Sequence, residues 1–574
     1  MKVILGINAY HADSSACILI DGTIIAAIEE ERINRKKHFS GYPIESIKEC
    51  LRIAKKQDIE ITDIAFNTKP SSNFFSKCIF WLKNFSFKKN YFTQRIGKKI
   101  YIKKLLLKEF KLNNNIKFHY VEHHLAHIAS AFYPSGFADA NGLSIDGSGD
   151  FVTLAISECK NNKIKIIEKT TFPNSLGIFY HAMTQFLGFK NYGDEYKIMG
   201  LAAYGNPKYF DKIKDNLFND NNKLLFELNL KYFNHHKNNF KYIAEESLII
   251  DTIYNLKLLD LFSIELNDHK NKDKFIKDFA ASVQKVYEFF FQKIIRKISL
   301  NKFSKNIIYA GGCALNSSAN QIITNTKQLF ENVYIPFAPG DNGGAIGAAL
   351  TVSAKYNNKI VNSDNPYLGK EFSNNEVMHI LESDFYKDKL DFRLINDEEL
   401  FKSAARLISE GNVIGWFQGK MEFGPRSLGN RSILADPRNP NMKDIINMKI
   451  KRRESFRPFA PSVLEEYQSD WFESNYTNPY MSSLSKVKEN KKKIIPAVTH
   501  IDGTARLQTV NSVYNSRYTK LIYNFFLLTG VPILLNTSFN ENEPIVMKPE
   551  ESLNCLLRTD MDVVFINNYL VKKI

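Results

Sequence analysis

Cysteine is sparse in this chain and badly placed for shared work. Cys17, Cys50, Cys78, Cys159, Cys313 and Cys555 are scattered, with no Cys-x-x-Cys pair among them. That argues against a thiolate zinc site and against the disulfide framework of a small secreted domain, so a reducing, cytoplasmic setting is expected. Long apolar runs are missing too. The longest candidate, Leu521 to Leu535, is broken by Asn524, Gly530 and Pro532, and about 20 apolar residues are needed to cross a bilayer. The N-terminal run Val3 to Ile7 is too short for a secretory signal. Low-complexity tracts and a solenoid period are also lacking.

What is present is a long, well-mixed globular sequence. With 574 residues, 44% hydrophobic and 13% aromatic, the chain exceeds what one core serves, and two or three domains are expected. Net charge is +16, from 77 basic and 61 acidic side chains, which would suit a polyanion. Lysine, however, rises together with asparagine and isoleucine along the whole chain, as general compositional drift does. The densest basic run, Lys83 to Lys111, falls inside one insertion of unassigned role. A nucleic-acid partner is therefore not expected; small phosphorylated substrates account equally well for localised arginine.

Turn and strand signals divide the chain. Val3 to Asn8, Ala16 to Ile20 and Thr23 to Ile28 read as strands, the last two joined by Asp21-Gly22, a hairpin signal. Gly142 to Ile145, a turn over Asp146 to Asp150, and Phe151 to Ser157 repeat the pattern. Ile307 to Ala310 followed by Gly311-Gly312 reads as a strand entering a helix whose N-terminus suits phosphate. Two strand-turn-strand phosphate loops followed by a glycine-rich turn form the layout of the actin-like, sugar-kinase-like nucleotide fold. A first domain over 1–355, with insertions near 71–115 and 204–274, is followed by an Asn-, Ser-, Pro- and Lys-rich linker over 356–375 and a second α/β domain over 376–574.

Three sets of side chains carry chemistry. In Glu122-His123-His124-Leu125-Ala126-His127, helical spacing puts His123 and His127 about 40° apart on one face, as chelation of a metal requires. Asp146 and Asp341, each in a glycine turn after an apolar run, are the candidate further ligands; a solvated histidine pair is the competing reading. Arg426, Arg431, Lys451, Arg453, Arg457, Arg506 and Arg517 form a basic set beside turns and strands, suited to a triphosphate because planar guanidinium groups grip phosphate by two prongs. His11 lies just beyond a strand end.

With these residues in hand, the chain resembles the O-carbamoyltransferases of the NodU and CmcH type, which decorate nodulation factors, cephalosporins and aminoglycosides. The resemblance runs through Glu29-Glu30-Glu31-Arg32, Lys36-Lys37-His38, His123 to His127, Ile145-Asp146-Gly147, Gly193 to Ala202, Ala310 to Asn316, Gly424 to Gly429, Arg457 to Pro461 and Leu535 to Asn540. It implies an actin-like domain (ASKHA class, a duplicated ribonuclease-H-like fold) related to the tRNA threonylcarbamoyl transferase, followed by a YrdC-like α/β domain. The C-terminal domain would make carbamoyl adenylate from carbamoyl phosphate and ATP, with Mg(II), and the N-terminal domain would pass the carbamoyl group to a hydroxyl of a sugar, polysaccharide precursor or antibiotic. It implies a metal, usually Fe(II), on His123, His127, Asp146 and Asp341. It implies carbamoyl adenylate contacts at His11, Lys37, Gly312 and Asn316, and C-terminal substrate contacts at Arg426, Lys451, Arg457, Arg506, Asn536 and Ser538. His11 would take the acceptor hydroxyl's proton, since its ordinary pKa lies near working pH, and Arg426 and Arg457 would stabilise phosphoryl charge. A tRNA-modifying carbamoyl adenylate enzyme is the alternative; a homodimer is compatible with either. Ala9 and Glu541-Asn542-Glu543 depart from relatives' patterns, the former against an aminoglycoside acceptor.

Overall fold

Asp21 and Gly22 both take left-handed φ values, 46° and 87°, which a two-residue hairpin needs to match the twist of its strands. They join β2 (Ser15–Ile20) to β3 (Thr23–Glu29), and β2 pairs antiparallel with β1 (Val3–Asn8). β4 (Asp63–Phe66) runs parallel to β1, and β5 (Lys117–Tyr120) parallel to β4, completing a sheet ordered β3-β2-β1-β4-β5. This is a computed structural model that describes residues 1–56, 59–83, 102–110, 115–219, 224–237, 242–243, 248–325, 329–356, 364–454, 456–474 and 476–574. Its chain forms two compact units, Met1–Asp364 and Asn365–Ile574.

The first layout recurs within the first unit. β6 (Asp139–Gly149), β7 (Val152–Lys160) and β8 (Lys163–Thr171) make an antiparallel meander. After the short pair β9 (Tyr242–Ile243) and β10 (Ile249–Ile250), β11 (Asn306–Ala310) adds parallel to β6 and β12 (Asn332–Tyr334) parallel to β11, giving β12-β11-β6-β7-β8. Three antiparallel strands with two parallel strands on the open side of the first therefore occur twice, which is the duplicated actin-like class. One sequence boundary shifts. β6 continues through Gly149 with a bulge after Ile145, and the reversal falls on Asp150 and Phe151, whose φ values are 47° and 74°.

Helices α1 (Ile44–Lys56), α2 (His123–Ser135), α3 (Leu176–Phe186), α4 (Lys272–Leu300) and α5 (Gly344–Lys355) pack around these sheets. β1 is buried along its whole length, as a strand covered on both faces must be. α5 reaches both β1 and α2 at backbone distance: a Cβ at Gly6 would lie 2.2 Å from Ala345 O, and one at Gly347 only 1.8 Å from Ala126 O. About half of the expected insertion near 71–115, residues 84–101 and 111–114, including most of its basic run, lies outside the described residues. The stretch over 204–274, without clean periodicity in sequence, is tied to the core by aromatic contacts: Phe218 to Phe290 at 4.2 Å and Phe262 to Phe279 at 5.1 Å between ring centres. Aromatic packing of this kind has no fixed period, so the pattern of the sequence does not display it.

The second unit is built on one mixed sheet. Its strands are β13 (Leu390–Leu394), β14 (Ile414–Phe417), β15 (Arg431–Ala435), β16 (Ala460–Leu464), β19 (Gln508–Val510), β20 (Ile533–Ser538), β21 (Val563–Ile566) and β22 (Tyr569–Lys573), in the order β13-β22-β21-β14-β15-β20-β16-β19. β17 (Ser485–Lys486) and β18 (Thr504–Ala505) form a separate ribbon. Helices α6 (Asp397–Ser409), α7 (Ser512–Thr529) and α8 (Pro549–Arg558) complete its core around the fully buried Trp416. The expected linker over 356–375 is only partly a linker. Residues 357–363 lie outside the description, but Gly369 N–H donates to Met421 O at 2.9 Å, Tyr367 donates to Leu428 O at 2.8 Å, and Phe372 joins the core. Its Asn, Ser and Pro content signals irregular backbone, which packs here without forming an element.

Candidate functional site

Glu122 sets the position of the histidine helix. Its extended backbone stops the chain before α2, and its carboxylate accepts from Leu125 N–H at 2.9 Å, the role of an N-cap. Asp150 reinforces that end, accepting from His123 N–H at 3.1 Å, from Lys69 N–H at 2.7 Å and from the Thr68 hydroxyl at 2.8 Å. One turn into α2, His123 and His127 point the same way, and their Nε2 atoms lie 3.0 Å apart.

Two carboxylates close on the same point. The β6 bulge lifts Asp146 out of its ladder, placing Oδ2 3.0 Å from His123 Nε2 and 3.5 Å from His127 Nε2. Asp341 Oδ1 lies 3.3 Å from both nitrogens. Asp341 is steadied by its neighbour Asn342, which donates to Glu29 while its carbonyl accepts from the Ser15 hydroxyl at 2.8 Å. Glu29 is itself paired with Arg32 at 2.6 Å. Burial alone would lower both imidazole pKa values, but the facing carboxylates of Asp146 and Asp341 outweigh it, lifting His123 to about 10 and His127 upward. The same contacts hold Asp146 far below, and Asp341 below, the usual carboxylate range against the opposing push of burial. The Nδ1 atoms of both histidines and Asp341 Oδ1 are buried without an aligned partner among the described residues. Two converging imidazole nitrogens and two anionic oxygens are a donor set that a divalent cation fits.

The surroundings are specialised as well. His11 is 2% exposed and stacks on His123, with ring centres 4.6 Å apart. His124 turns away: its Nε2–H donates to Val152 O and its Nδ1 accepts from Ser144, both at 2.9 Å, which fixes it as a neutral core residue. Gly149 is required, because a Cβ there would lie 1.9 Å from the His123 ring. Gly312 N–H reaches Asp146 Oδ1 at 3.3 Å. Asn316 caps the helix Ser317–Thr324 through Ala319 N–H at 3.0 Å and exchanges amide bonds with Gln284 at 3.1 Å. Lys37 is exposed beside Glu31.

In the second unit the basic set separates into one cluster of four and three residues placed apart. Arg506 is pushed well below the guanidinium range by burial and then by the like charges of Arg426, Arg453 and Arg457, so four guanidinium groups share one region. Its Nε is buried without a partner among the described residues. Arg431 does not belong to this group: it is wholly buried over the Phe417 ring and donates to the carbonyls of Gln418, Asn430, Lys370 and Gly419. Arg517 binds Asp397 and Gln418, each at 2.9 Å. Lys451 donates to Ser538 O at 2.6 Å and to Asn540 O and Oδ1 at 2.7 Å, pinning the loop that ends β20. Asn536 donates to Ser427 O, Ser462 and Gln508. Arg457 also faces Glu454 at 3.6 Å, and clustered guanidiniums suit a phosphate anion.

Residues 3–350 match the model of the carbamoyltransferase N-terminus, and residues 405–573 that of the carbamoyltransferase C-terminus. The chain belongs to the carbamoyltransferase family. An uncharacterized protein of Synechocystis sp. is 38% identical over 100% of this chain and 97% of its own length. Nodulation protein NolNO of Sinorhizobium fredii is 36% identical over 99% and 80%, and an uncharacterized protein of Methanocaldococcus jannaschii 33% identical over 100% of both. As a carbamoyltransferase the protein is a transferase enzyme acting on small molecules, and no helix among its described residues is long and apolar enough to cross a membrane.

Among the site residues of this carbamoyltransferase expected from sequence, the fold brings His11, His123, His127, Asp146, Gly312 and Asp341 together, and Arg426, Arg457 and Arg506 together. Sequence reasoning missed the support given by Glu29, Ser15 and Asp150, whose signal was only a polar or acidic residue at a strand end or turn. It also missed Tyr192, a partly buried phenol kept protonated by desolvation and by Asp341, Asp13, Asp146 and Glu195, with its ring edge-on to His38 at 5.5 Å.

Proposed function

We propose that this enzyme is an ATP-dependent O-carbamoyltransferase. In its second unit water cleaves carbamoyl phosphate to carbamate and phosphate, a carbamate oxygen then attacks the α-phosphorus of ATP and displaces pyrophosphate, and its first unit passes the carbamoyl group from the resulting carbamoyl adenylate to a hydroxyl of a sugar or natural product, releasing AMP. The observation that carries this reading is the set Arg426, Arg453, Arg457 and Arg506, where three like charges bear on a partly buried Arg506 whose buried Nε donor is unused among the described residues. Such an arrangement is unfavourable alone and becomes favourable around several phosphates, whose charge it stabilises during attack at phosphorus. The second unit, with a sheet flanked by helices and a loop pinned by Lys451, would be YrdC-like.

His123, His127, Asp146 and Asp341 would hold a divalent transition metal, with iron(II) the ion the family resemblance implies; bound there it would supply positive charge against the adenylate phosphate. The protein's own groups do the rest. Gly312 N–H orients Asp146, and Glu29 through Asn342 orients Asp341. His11, held against His123, would accept the proton of the acceptor hydroxyl as its oxygen attacks the carbamoyl carbon.

Carbamoyl-phosphate-dependent release of pyrophosphate from ATP tests the assignment. Arg426→Ala should abolish it. His11→Asn should retain it and lose transfer to an acceptor by roughly 10² to 10⁴-fold, the usual loss for a missing general base. Loss of pyrophosphate release in folded, metal-loaded His11→Asn as complete as in Arg426→Ala would sink this division of labour.

A further inference from the structure

One histidine in the second unit has an unused acceptor where the ligand set is otherwise cationic. His500 sits at the start of the reversal that leads into β18: its N–H donates to Thr504 O at 2.8 Å, and Gly503 N–H donates back to His500 O at 2.9 Å. The side chains fix its tautomer. The Thr504 hydroxyl donates to the Asp502 carboxylate at 2.7 Å, so its oxygen is left to accept, and His500 Nδ1–H donates to it at 3.1 Å. Nε2 then carries a lone pair. That atom is buried and has no partner among the described residues, as is the Nε–H of Arg506 six residues on.

The charges facing His500 are Asp502, Arg506 and Lys443. Burial first, and then Arg506 and Lys443, lower its pKa to about 4, in keeping with a neutral ring. A buried lone pair left without a donor is costly. A fully ionised phosphate group can only accept hydrogen bonds. A ligand that satisfies both orphans must present an acceptor to Arg506 and an N–H or O–H to His500. Carbamoyl phosphate does so within one small molecule, because its amide NH2 sits one carbon away from the phosphoester oxygen.

We propose that His500 is a specificity-determining residue that reads the carbamoyl amide, its Nε2 accepting from the NH2 group while Arg506 Nε donates to an oxygen of the same molecule. The inference rests on the function proposed for the second unit and adds how carbamoyl phosphate is told from other acyl phosphates. Acetyl phosphate, with methyl in place of NH2, would leave Nε2 unsatisfied and be rejected.

The full-length enzyme tests this with KM for carbamoyl phosphate in pyrophosphate release and Ki for acetyl phosphate as competitor. Wild type should prefer carbamoyl phosphate by roughly 10- to 100-fold, as sites built around a ligand N–H do. His500→Leu should erase the preference by weakening carbamoyl phosphate alone, and His500→Gln, which keeps an acceptor oxygen, should restore part of it. An unchanged preference in His500→Leu, or equal weakening of both acyl phosphates with no rescue by Gln, would overturn the assignment while leaving the proposed function intact. Loss of discrimination between ATP and GTP instead would move His500 to the nucleobase and also overturn it. Absence of carbamoyl-phosphate-dependent release in wild type would overturn the proposed function, and this inference with it.

Discussion

Replacing Arg506 by Met should make the ligand-free enzyme more stable and catalytically dead. Arg506 is partly buried, its Nε is wholly buried and lacks a partner among the described residues, and Arg426, Arg453 and Arg457 bear on it with the same charge. An unsatisfied buried donor costs about 1–3 kcal/mol, and the repulsion adds to it. Methionine fills a similar stem volume, for which a repacking cost below about 1.5 kcal/mol is usual. The net expectation is a gain of about 1–2 kcal/mol, equivalent to a rise of roughly 2–8 °C in the Tm of a unit this size. The assay is thermal unfolding of ligand-free protein, repeated with tripolyphosphate. Wild type should gain about 2.7 kcal/mol from a polyanion at 100-fold its Kd, and Arg506→Met almost none, with pyrophosphate release lost. A lower Tm in ligand-free Arg506→Met together with an undiminished tripolyphosphate shift would show that the four arginines are balanced by groups unrelated to an anion, and the reasoning would fail.

Other outcomes follow from the first unit. Gly149→Ala should lower metal content at least 10-fold, comparably to His123→Ala, because its Cβ would collide with the His123 ring at 1.9 Å; full metal content by elemental analysis would contradict the ligand geometry. His127→Ala should do the same, and a variant that retains one metal per chain would remove the assignment. His38 is lifted to about 9: burial lowers it, but Asp13, bonded at 2.8 Å, and Glu31 raise it more. A raised histidine stabilises fully below its unfolded pKa of about 6.5 and loses that contribution as pH climbs through 9. With the ring partly open to water, the loss between pH 6.5 and 9.5 should be about 1 kcal/mol, visible in denaturant melts and absent in His38→Gln.

By itself the sequence marked the strands that repeat, the hairpin at Asp21-Gly22, and the four side chains that the fold brings together at His123, His127, Asp146 and Asp341, because period-two patterning, glycine turns and an i, i+4 histidine pair are local and leave local marks. What it could not decide is which way similar residues face. His124 sits beside His123 in sequence yet serves the core, because a helix sends neighbours about 100° apart and Ser144 and Val152 wait on that side. Arg431 and Arg506 look alike in composition and context, yet one is consumed by backbone carbonyls and the other gathers like charges, a difference set by which strands and loops surround each. The unused lone pair of His500 is of the same kind. It exists only because Thr504 and Asp502 take the other ring nitrogen, and no pattern of spacing records a hydrogen bond that has already been made.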